Sequence, residues 1–302
     1  MTQPSAPLRL RILQTTDLHM RLLGHDYFAD SAATPEARAG LARLAPVIRA
    51  ARAEATAQGA ACLLVDNGDF LQGTPMGDLY ADPAMIDDAG AHPMIAAMNA
   101  LGYDAATLGN HEFNYGLPTL DRALADARFP VVAGNIARDG GPELPPWVIV
   151  PAEATDAAGT RYRLQVGLIG LAPPQITGWD RAVLGGAIAM QGICAAARAR
   201  VPEMRAAGAE LVVALAHTGI GDTAERDGLE NAAVPLAAVD GIDAVLCGHQ
   251  HRMFPGPRFD GLVHVDAEAG TIHGKPAMMP GFWGTHLGVM DLALDPAPGG
   301  GW

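Results

Sequence analysis

The chain has 302 residues, 49% of them hydrophobic, which is enough to build a sizeable core in one large domain or two small ones. Its net charge is −13, and this excludes binding of nucleic acid through a generally basic surface. No stretch is long and apolar enough to span a membrane as a helix, so we expect no membrane partner.

Two features indicate the compartment in which the chain works. The segment up to Asp17 lacks the apolar core of a secretory signal, because its apolar residues alternate with polar ones. As the sequence stands we expect a cytoplasmic protein, and a periplasmic one if a signal lies upstream. The three cysteines cannot form a closed set of disulfides, and we expect Cys62 and Cys247, which lie in apolar runs, to be small apolar side chains rather than ligands.

Strand and helix patterns alternate along the whole chain. The first strand starts at Leu8 and runs into a Thr-Thr-Asp loop, and the next is an apolar run at 61–66 that ends in Asn-Gly-Asp. Helices with apolar residues at helical spacing are predicted at 36–58, 92–104, 118–127, 190–208 and 223–239. Later strands are predicted at 105–110, 130–135, 161–172, 209–219 and 241–251, with a Pro-rich loop at 172–180 and short strands after Leu262. Such alternation is typical of an α/β protein.

Five predicted strands end in a loop that contains His, Asp or Asn. These loops are TDLH with Asp17 and His19, NGD with Asp69, GNHE with Asn110, His111 and Glu112, AHTG with His217, and GHQH with His249 and His251. Residues i and i+2 of an extended segment point the same way, so the DxH and HxH pairs can each offer two side chains to one ion. Loops at the carboxyl ends of strands converge in open α/β sheets, and five such loops in order therefore predict one shared metal site.

These motifs together resemble a known family. The ordered set DxH, GD, GNHE, H and GHxH resembles the signature of the calcineurin-like metallophosphoesterases, and within them the 5′-nucleotidase branch. The segments VDNGDFLQGTPMGD, LGNHEFNYGL, GIDAVLCGHQHRMFPG and PGFWGTHLGVMDL most resemble the N-terminal catalytic domain of bacterial bifunctional 2′,3′-cyclic-nucleotide 2′-phosphodiesterase/3′-nucleotidases. The resemblance extends from about Leu8 to about Leu294.

The resemblance also implies a fold and a division of the chain. The expected fold is a four-layer α/β/β/α metallophosphoesterase sandwich with two mixed β-sheets. The expected division is an N-terminal tail at 1–7, a catalytic domain at 8–295, and the start of a linker at 296–302. That linker would lead to a C-terminal nucleotide-binding domain, absent from these residues, whose aromatic side chains stack on the base.

By the same resemblance, the site holds two divalent metal ions. One ion is expected on Asp17, His19, Asp69 and His251, and the other on Asp69, Asn110, His217 and His249. Asp69 therefore bridges the two. Mixed nitrogen and oxygen ligands suit Mn, Fe, Co, Zn or Ni rather than Mg or Ca, without fixing which metal is bound.

Four residues are expected to act beside these ligands. His111 is the expected catalytic residue, which stabilises transition-state charge or protonates the leaving group while a metal-activated hydroxide attacks phosphorus. Asn114 stands where 5′-nucleotidases have an aspartate that pairs with this histidine, so we expect Asn114 to orient His111 by a hydrogen bond. Glu112 fits a supporting role and a structural role equally well. His286 is a further candidate near the site.

The function implied by the resemblance is metal-dependent hydrolysis of phosphoric esters. The expected substrates are 2′,3′-cyclic nucleotides, opened to 3′-nucleotides, and these 3′-nucleotides, hydrolysed to nucleosides. A 5′-nucleotidase or sugar-nucleotide hydrolase is the alternative within the family, and Asn114 argues against it. A non-catalytic metal-binding domain is the alternative outside enzymes, and the presence of every expected ligand together with His111 argues against that.

Overall fold

The computed structural model describes residues 7–32, 34, 38–82, 90–296 and 302. Most of the predicted tail at 1–7 and of the predicted linker at 296–302 lies outside these residues, so that part of the domain division stays a prediction. Within the described residues, no helix has both the length and the apolar character needed to cross a membrane.

The strands and helices alternate as the sequence predicts. The described strands are β1 (Leu8–Thr15), β2 (Ala61–Asp66), β3 (Ala105–Thr107), β4 (Val131–Val132), β5 (Ile136–Arg138), β6 (Trp147–Thr155), β7 (Arg161–Leu171), β8 (Ile188–Met190), β9 (Leu211–Ala216), β10 (Ala244–Cys247), β11 (Met253–Phe254), β12 (Val265–Asp266), β13 (Thr271–Ile272), β14 (Lys275–Pro280) and β15 (Gly288–Leu294). The described α-helices are α1 (Leu41–Ala57), α2 (Pro75–Ala81), α3 (Pro93–Leu101), α4 (Leu117–Leu124), α5 (Ile176–Trp179), α6 (Arg181–Leu184), α7 (Ile193–Ala206) and α8 (Ala233–Ala237).

The strands form two large mixed sheets. The first sheet has the order β15-β1-β2-β3-β4, in which β1 to β4 are parallel and β15 runs antiparallel along β1. The second has the order β12-β13-β14-β10-β9-β7-β6, with β11 paired to β14, and its centre from β7 to β14 is parallel. A small third sheet, β5 with β8, was not predicted.

Side-chain alternation along the strands builds four layers. Ile12 of β1 lies in the core between the two sheets, whereas the next residue, Leu13, packs in the core under α1, α3 and α4. In the second sheet Val213 faces the first sheet, and Val212 faces the core under α7 and α8. The order is therefore helices, sheet, sheet, helices, which confirms the predicted α/β/β/α sandwich.

The predicted helices have the right positions and, in one case, the wrong extent. The pattern at 223–239 yields only the short α8, because the chain makes a turn before it in which Gly228 has φ +66°. In α1, Leu44 and Ile48 are buried as the spacing predicts, but Val47 is 49% exposed.

Two regions in the middle of the chain also differ from the prediction. The Pro-rich loop at 172–180 contains α5, which is followed directly by α6. The strand β6 was missed, and its whole length pairs with residues 161–169 of β7 at the edge of the second sheet. An edge strand tolerates Pro151, whose missing N–H would otherwise weaken a strand prediction.

Candidate metal centre

The seven predicted ligands follow the carboxyl ends of strands in both sheets. Asp17 and His19 follow β1, Asp69 follows β2, Asn110 follows β3, His217 follows β9, and His249 and His251 follow β10. The two sheets meet at these ends, where the side chain of Asn67 donates to the carbonyl oxygens of Ala216 at 2.8 Å and Leu246 at 3.2 Å. This buried amide ties the end of β2 to the ends of β9 and β10.

A first group consists of Asp17, His19 and His251, whose ligand atoms all lie within 4.8 Å of one another. Nε2 of His251 is 3.3 Å from Oδ1 of Asp17 and 2.8 Å from Nε2 of His19. Nδ1 of His19 donates to the carbonyl oxygen of Gln72 at 3.1 Å, so Nε2 of the neutral ring presents its lone pair to the group.

A second group consists of Asp69, His217 and His249, again with ligand atoms within 4.8 Å of one another. Oδ2 of Asp69 lies 3.0 Å from Nε2 of His217, and Nδ1 of His217 donates to the carbonyl oxygen of Asn67 at 2.8 Å. Asn110 joins this group, since its Oδ1 is 3.0 Å from Nδ1 of His249. The structure thus brings together all seven residues that the motifs singled out.

The two groups fit divalent metal ions. Asp17 and Asp69 are buried carboxylates, and in the described part of the chain neither forms an ion pair with lysine or arginine. Burial lowers the pKa of His217, but the Asp69 carboxylate outweighs this effect and raises the pKa to about 10. The space between His217 and Asp69 therefore stabilises a positive charge. Nε2 of His217 is buried and has no contact in the described residues that meets the geometry of a hydrogen bond, although Oδ2 of Asp69 lies 3.0 Å away. An imidazole nitrogen and a carboxylate oxygen arranged in this way suit a transition-metal ion.

Backbone strain is concentrated at these ligands. The left-handed region is rare for residues other than glycine, and yet it is occupied by Asp17 (φ 51°), His19 (φ 46°), Asp69 (φ 61°), His249 (φ 70°) and His251 (φ 54°). Each such residue costs about 1–2 kcal/mol. Strain of this kind at five residues of one cluster indicates that the loops are shaped for the site rather than for stability.

Gly109, in the third motif, is required by close packing. A Cβ atom at this position would lie 2.2 Å from Oδ1 of Asp69 and 2.7 Å from Cε1 of His217. Any side chain there would displace the two residues at the centre of the second group. The glycine in GNHE therefore makes room for the ligands.

Glu112 lies beneath the cluster and holds its loops. Its buried carboxylate accepts the backbone N–H groups of Asp69, Phe70, Leu71 and Gly109 at 2.6–3.0 Å. Burial, and then the nearby Asp69, raise the pKa of Glu112. Its contacts are with the backbone that positions Asp69, and its role stays a prediction.

His111 and its neighbours lie beside both groups. Its backbone N–H donates to Oδ1 of Asp69 at 2.7 Å, and its ring forms a third group of ligand atoms with those of His19 and Asp69. Oδ1 of Asn114 is 2.6 Å from Nδ1 of His111, which is the kind of contact that the sequence predicts. His286 is exposed and belongs to none of the three groups of ligand atoms, and its Nδ1 contacts the hydroxyl of Thr285 at 3.0 Å.

Several contacts at the site had no signal in the sequence. Oε1 of Glu230 lies 2.8 Å from Nε2 of His249, although this glutamate belongs to a turn outside the five motifs. The ring of Trp179 stacks on His249 with the centroids 5.8 Å apart, and that of Phe282 stacks on His251 at 4.7 Å. Glu230 thereby leaves Nδ1 of His249 to face the cluster, and the two aromatic rings restrict both imidazoles.

We expect replacement of Glu230 with alanine to weaken metal binding by roughly tenfold, at the low end of the range for residues that orient a histidine ligand. The effect is small because the glutamate is partly exposed and water can take its place. Titration of metal-free protein with Mn²⁺ or Co²⁺ measures it, and Glu225→Ala, which removes a surface ion pair with Arg198, is the control. Equal affinities in both variants and the wild type would contradict the assigned role.

A comparison with known protein families shows which family the chain matches. A model of the calcineurin-like phosphoesterase family matches residues 10–253, a range that contains all seven predicted ligands. The chain belongs to this family. Its motifs, which the sequence ties to calcineurin-like metallophosphoesterases, are therefore correctly recognised.

Two individual phosphoesterases are similar to the chain over nearly its whole length. The chain is 43% identical over 297 residues to a 2′,3′-cyclic-nucleotide 2′-phosphodiesterase/3′-nucleotidase of Yersinia enterocolitica, covering 97% of this chain and 44% of that protein. It is also 43% identical over 303 residues to the trifunctional nucleotide phosphoesterase protein YfkN of Bacillus subtilis, covering 98% of this chain and 20% of that protein. The chain thus spans less than half the length of either relative.

A solved structure confirms the fold. The crystal structure of the calcineurin-like phosphoesterase YfkN from Bacillus subtilis superimposes with a TM-score of 0.89 at 43% identity. The match covers 97% of this chain and 87% of that one. The metallophosphoesterase sandwich is therefore the fold of nearly the whole chain.

Proposed function

We propose that this phosphoesterase chain hydrolyses 2′,3′-cyclic nucleotides to 3′-nucleotides and these to nucleosides, using two divalent metal ions. The observation that carries the proposal is the convergence of seven side chains from five strand ends on two adjoining groups of ligand atoms. The names of the two relatives that are 43% identical support the choice of nucleotide substrates.

Asp69 is the residue that we propose to be shared by both ions. Its Oδ2 lies 3.0 Å from Nε2 of His217 in the second group and 3.9 Å from Nε2 of His19, next to the first. A carboxylate suits this position because it has two oxygens and its charge offsets the repulsion between two cations. When bound, such ions would activate water and offset the negative charge on the phosphoryl oxygens.

The chain's own residues supply the positioning and the proton. We propose that His111, beside Asp69, protonates the departing sugar oxygen as water adds to phosphorus and the P–O bond breaks. Opening the ring at the 2′ oxygen consumes one water and gives a 3′-monophosphate with a free 2′-hydroxyl. A second water then converts that monoester into a nucleoside and inorganic phosphate.

The metal, the domain division and the source of base recognition are part of the proposal. The nitrogen and oxygen ligands support Mn, Fe, Co, Zn or Ni. The greater length of the relatives supports a catalytic domain at 8–295 that is followed, in a longer protein, by a nucleotide-binding domain. The neutral Asn114 supports the cyclic phosphodiesterase over the 5′-nucleotidase alternative.

The test compares 2′,3′-cyclic AMP, 3′-AMP, 5′-AMP and bis(p-nitrophenyl) phosphate with the same metal-loaded chain. We expect the cyclic substrate to give 3′-AMP, and 3′-AMP to be hydrolysed faster than 5′-AMP. Base stacking, worth about 1–3 kcal/mol, is expected to lie outside this chain, so kcat/KM for the cyclic nucleotide should exceed that for the aryl diester by less than roughly tenfold.

Other outcomes distinguish the alternatives. A preference for 5′-AMP would support a 5′-nucleotidase instead. Hydrolysis of none of the four compounds by the metal-loaded chain would support a non-catalytic metal-binding domain. A strong preference for the cyclic nucleotide over the aryl diester would show that this chain binds the base itself.

A further inference from the structure

A chain of three hydrogen-bonded side chains leads from the metal cluster into the protein. Nδ1 of His111 lies 2.6 Å from Oδ1 of Asn114, and Nδ2 of Asn114 donates to Oδ1 of Asp180 at 2.8 Å. Asp180 is buried and belongs to none of the three groups of ligand atoms. We propose that Asp180 is a positioning residue for His111 that acts through the amide of Asn114.

The direction of these hydrogen bonds follows from which of the side chains can donate and which can accept. A carboxylate has no hydrogen to donate, so the NH₂ group of Asn114 must face Asp180. The amide oxygen must then face His111, and because an oxygen of this kind only accepts, Nδ1 of His111 must hold a proton. Nε2 is left as the nitrogen on the side of the cluster, where the proposed function places the leaving oxygen.

The backbone around Asp180 is fixed enough for such a role. Its N–H donates to the carbonyl oxygen of Ile176 at 3.0 Å, and its own carbonyl accepts the N–H groups of Val183 at 3.0 Å and Leu184 at 2.8 Å. The preceding residue, Trp179, stacks on His249. Trp179 thus contacts His249, a proposed metal ligand, and the next residue, Asp180, contacts Asn114, the partner of the proposed acid His111.

A neutral side chain at 180 would remove the constraint. With Asp180→Asn, either amide of the pair can turn over, and Asn114 can present its NH₂ group to Nδ1 of His111. That orientation places a donor against the N–H of Nδ1, so the ring of His111 is no longer held with Nε2 toward the cluster. The double variant Asn114→Asp with Asp180→Asn restores the original polarity, since the new carboxylate accepts from both neighbours.

This inference rests on the proposed phosphoester hydrolysis, and its test uses the leaving group as the reporter. Bis(p-nitrophenyl) phosphate releases a stabilised phenolate that needs no proton. Diphenyl phosphate releases a phenolate whose conjugate acid has a pKa of about 10, like tyrosine, and gains from an acid. Neither compound is a nucleotide, so the comparison is independent of which nucleotide the chain prefers.

We expect Asp180→Asn to lower kcat on diphenyl phosphate by roughly 10–100-fold, as loss of an orienting partner does, with KM and metal content unchanged. On bis(p-nitrophenyl) phosphate kcat should fall by less than about threefold, a small part of the usual contribution of an acid. The double variant should recover most of the loss. Asp78→Asn is the matched control, because that exposed carboxylate accepts from the hydroxyl of Tyr115, beside Asn114, at 2.6 Å and should change neither rate.

Three results would overturn the inference. An equal loss on both esters, together with lower metal content or a lower melting temperature, would mean that Asp180 is structural. Unchanged rates on both esters would mean that it has no role, and a double variant as slow as the single one would mean that the polarity is wrong. A wild-type chain that hydrolyses neither ester would instead refute the proposed function itself.

Discussion

Replacing Asp69 with alanine is expected to remove both metal ions and to lower kcat/KM on any phosphoester by at least roughly 10³-fold. The two ions together would contribute several kcal/mol of charge stabilisation, and each 1.4 kcal/mol corresponds to about a factor of ten in rate. Asp69 is the residue whose oxygens lie near His217 of the second group, near His19 of the first, and on the backbone of His111. Metal analysis of the purified variant, alongside its rates, is the measurement.

Asn110→Ala is the matched control for this variant. Oδ1 of Asn110 lies 3.0 Å from Nδ1 of His249 in the second group, so its loss should weaken one ion and leave the other bound. Circular dichroism should report the same helix content in both variants and the wild type. If Asp69→Ala still bound two metals at full occupancy, the shared position of Asp69 would be wrong.

Replacing His111 with alanine is expected to separate catalysis from metal binding. Both metals should be retained, while kcat on nucleotides falls by roughly 10²–10⁴-fold, the usual contribution of a positioned acid or base. The structure makes this a sharp test, because the His111 ring also belongs to a group of ligand atoms with His19 and Asp69. Metal content and kcat are therefore measured on the same sample.

The control for His111 is another histidine outside the cluster. His264 is exposed and stacks on His273 in the hairpin of β12 and β13, with the ring centroids 4.1 Å apart. His264→Ala should change neither kcat nor metal content. Loss of metal in His111→Ala, with metal kept in His264→Ala, would assign His111 as a ligand and contradict its role as the proton donor.

The parts of the fold that follow from local pattern were predictable. Alternation in the strand that starts at Leu8 and helical spacing around Leu44 and Ile48 depend on near neighbours in the chain, and the structure agrees with both. The helix predicted at 223–239 is shorter than expected because Gly228, whose carbonyl accepts from the side chain of the distant Gln175, adopts a positive φ in a turn. The edge strand β6 was missed because its stability comes from pairing with β7.

In the candidate site, too, some residues could be predicted from the sequence and others could not. Candidate ligands such as Asp17 with His19, or His249 with His251, lie close together in the sequence after strands, so their spacing and order suffice to predict that they come together. Glu230 contacts His249, and Asp180 contacts Asn114, only when distant parts of the chain have packed together. No spacing in the sequence connects either residue to His249 or Asn114, and their contacts required the three-dimensional structure.

The central claim is that the two groups of ligand atoms each hold one catalytic metal ion. The most direct measurement is a titration of chelated, metal-free protein with Mn²⁺, in which bound metal and hydrolysis of bis(p-nitrophenyl) phosphate are followed together. We predict that activity is absent without metal and reaches its maximum when two ions are bound per chain, and that Asp69→Ala binds neither. Full activity in the metal-free chain, or saturation with no bound metal, would contradict the account.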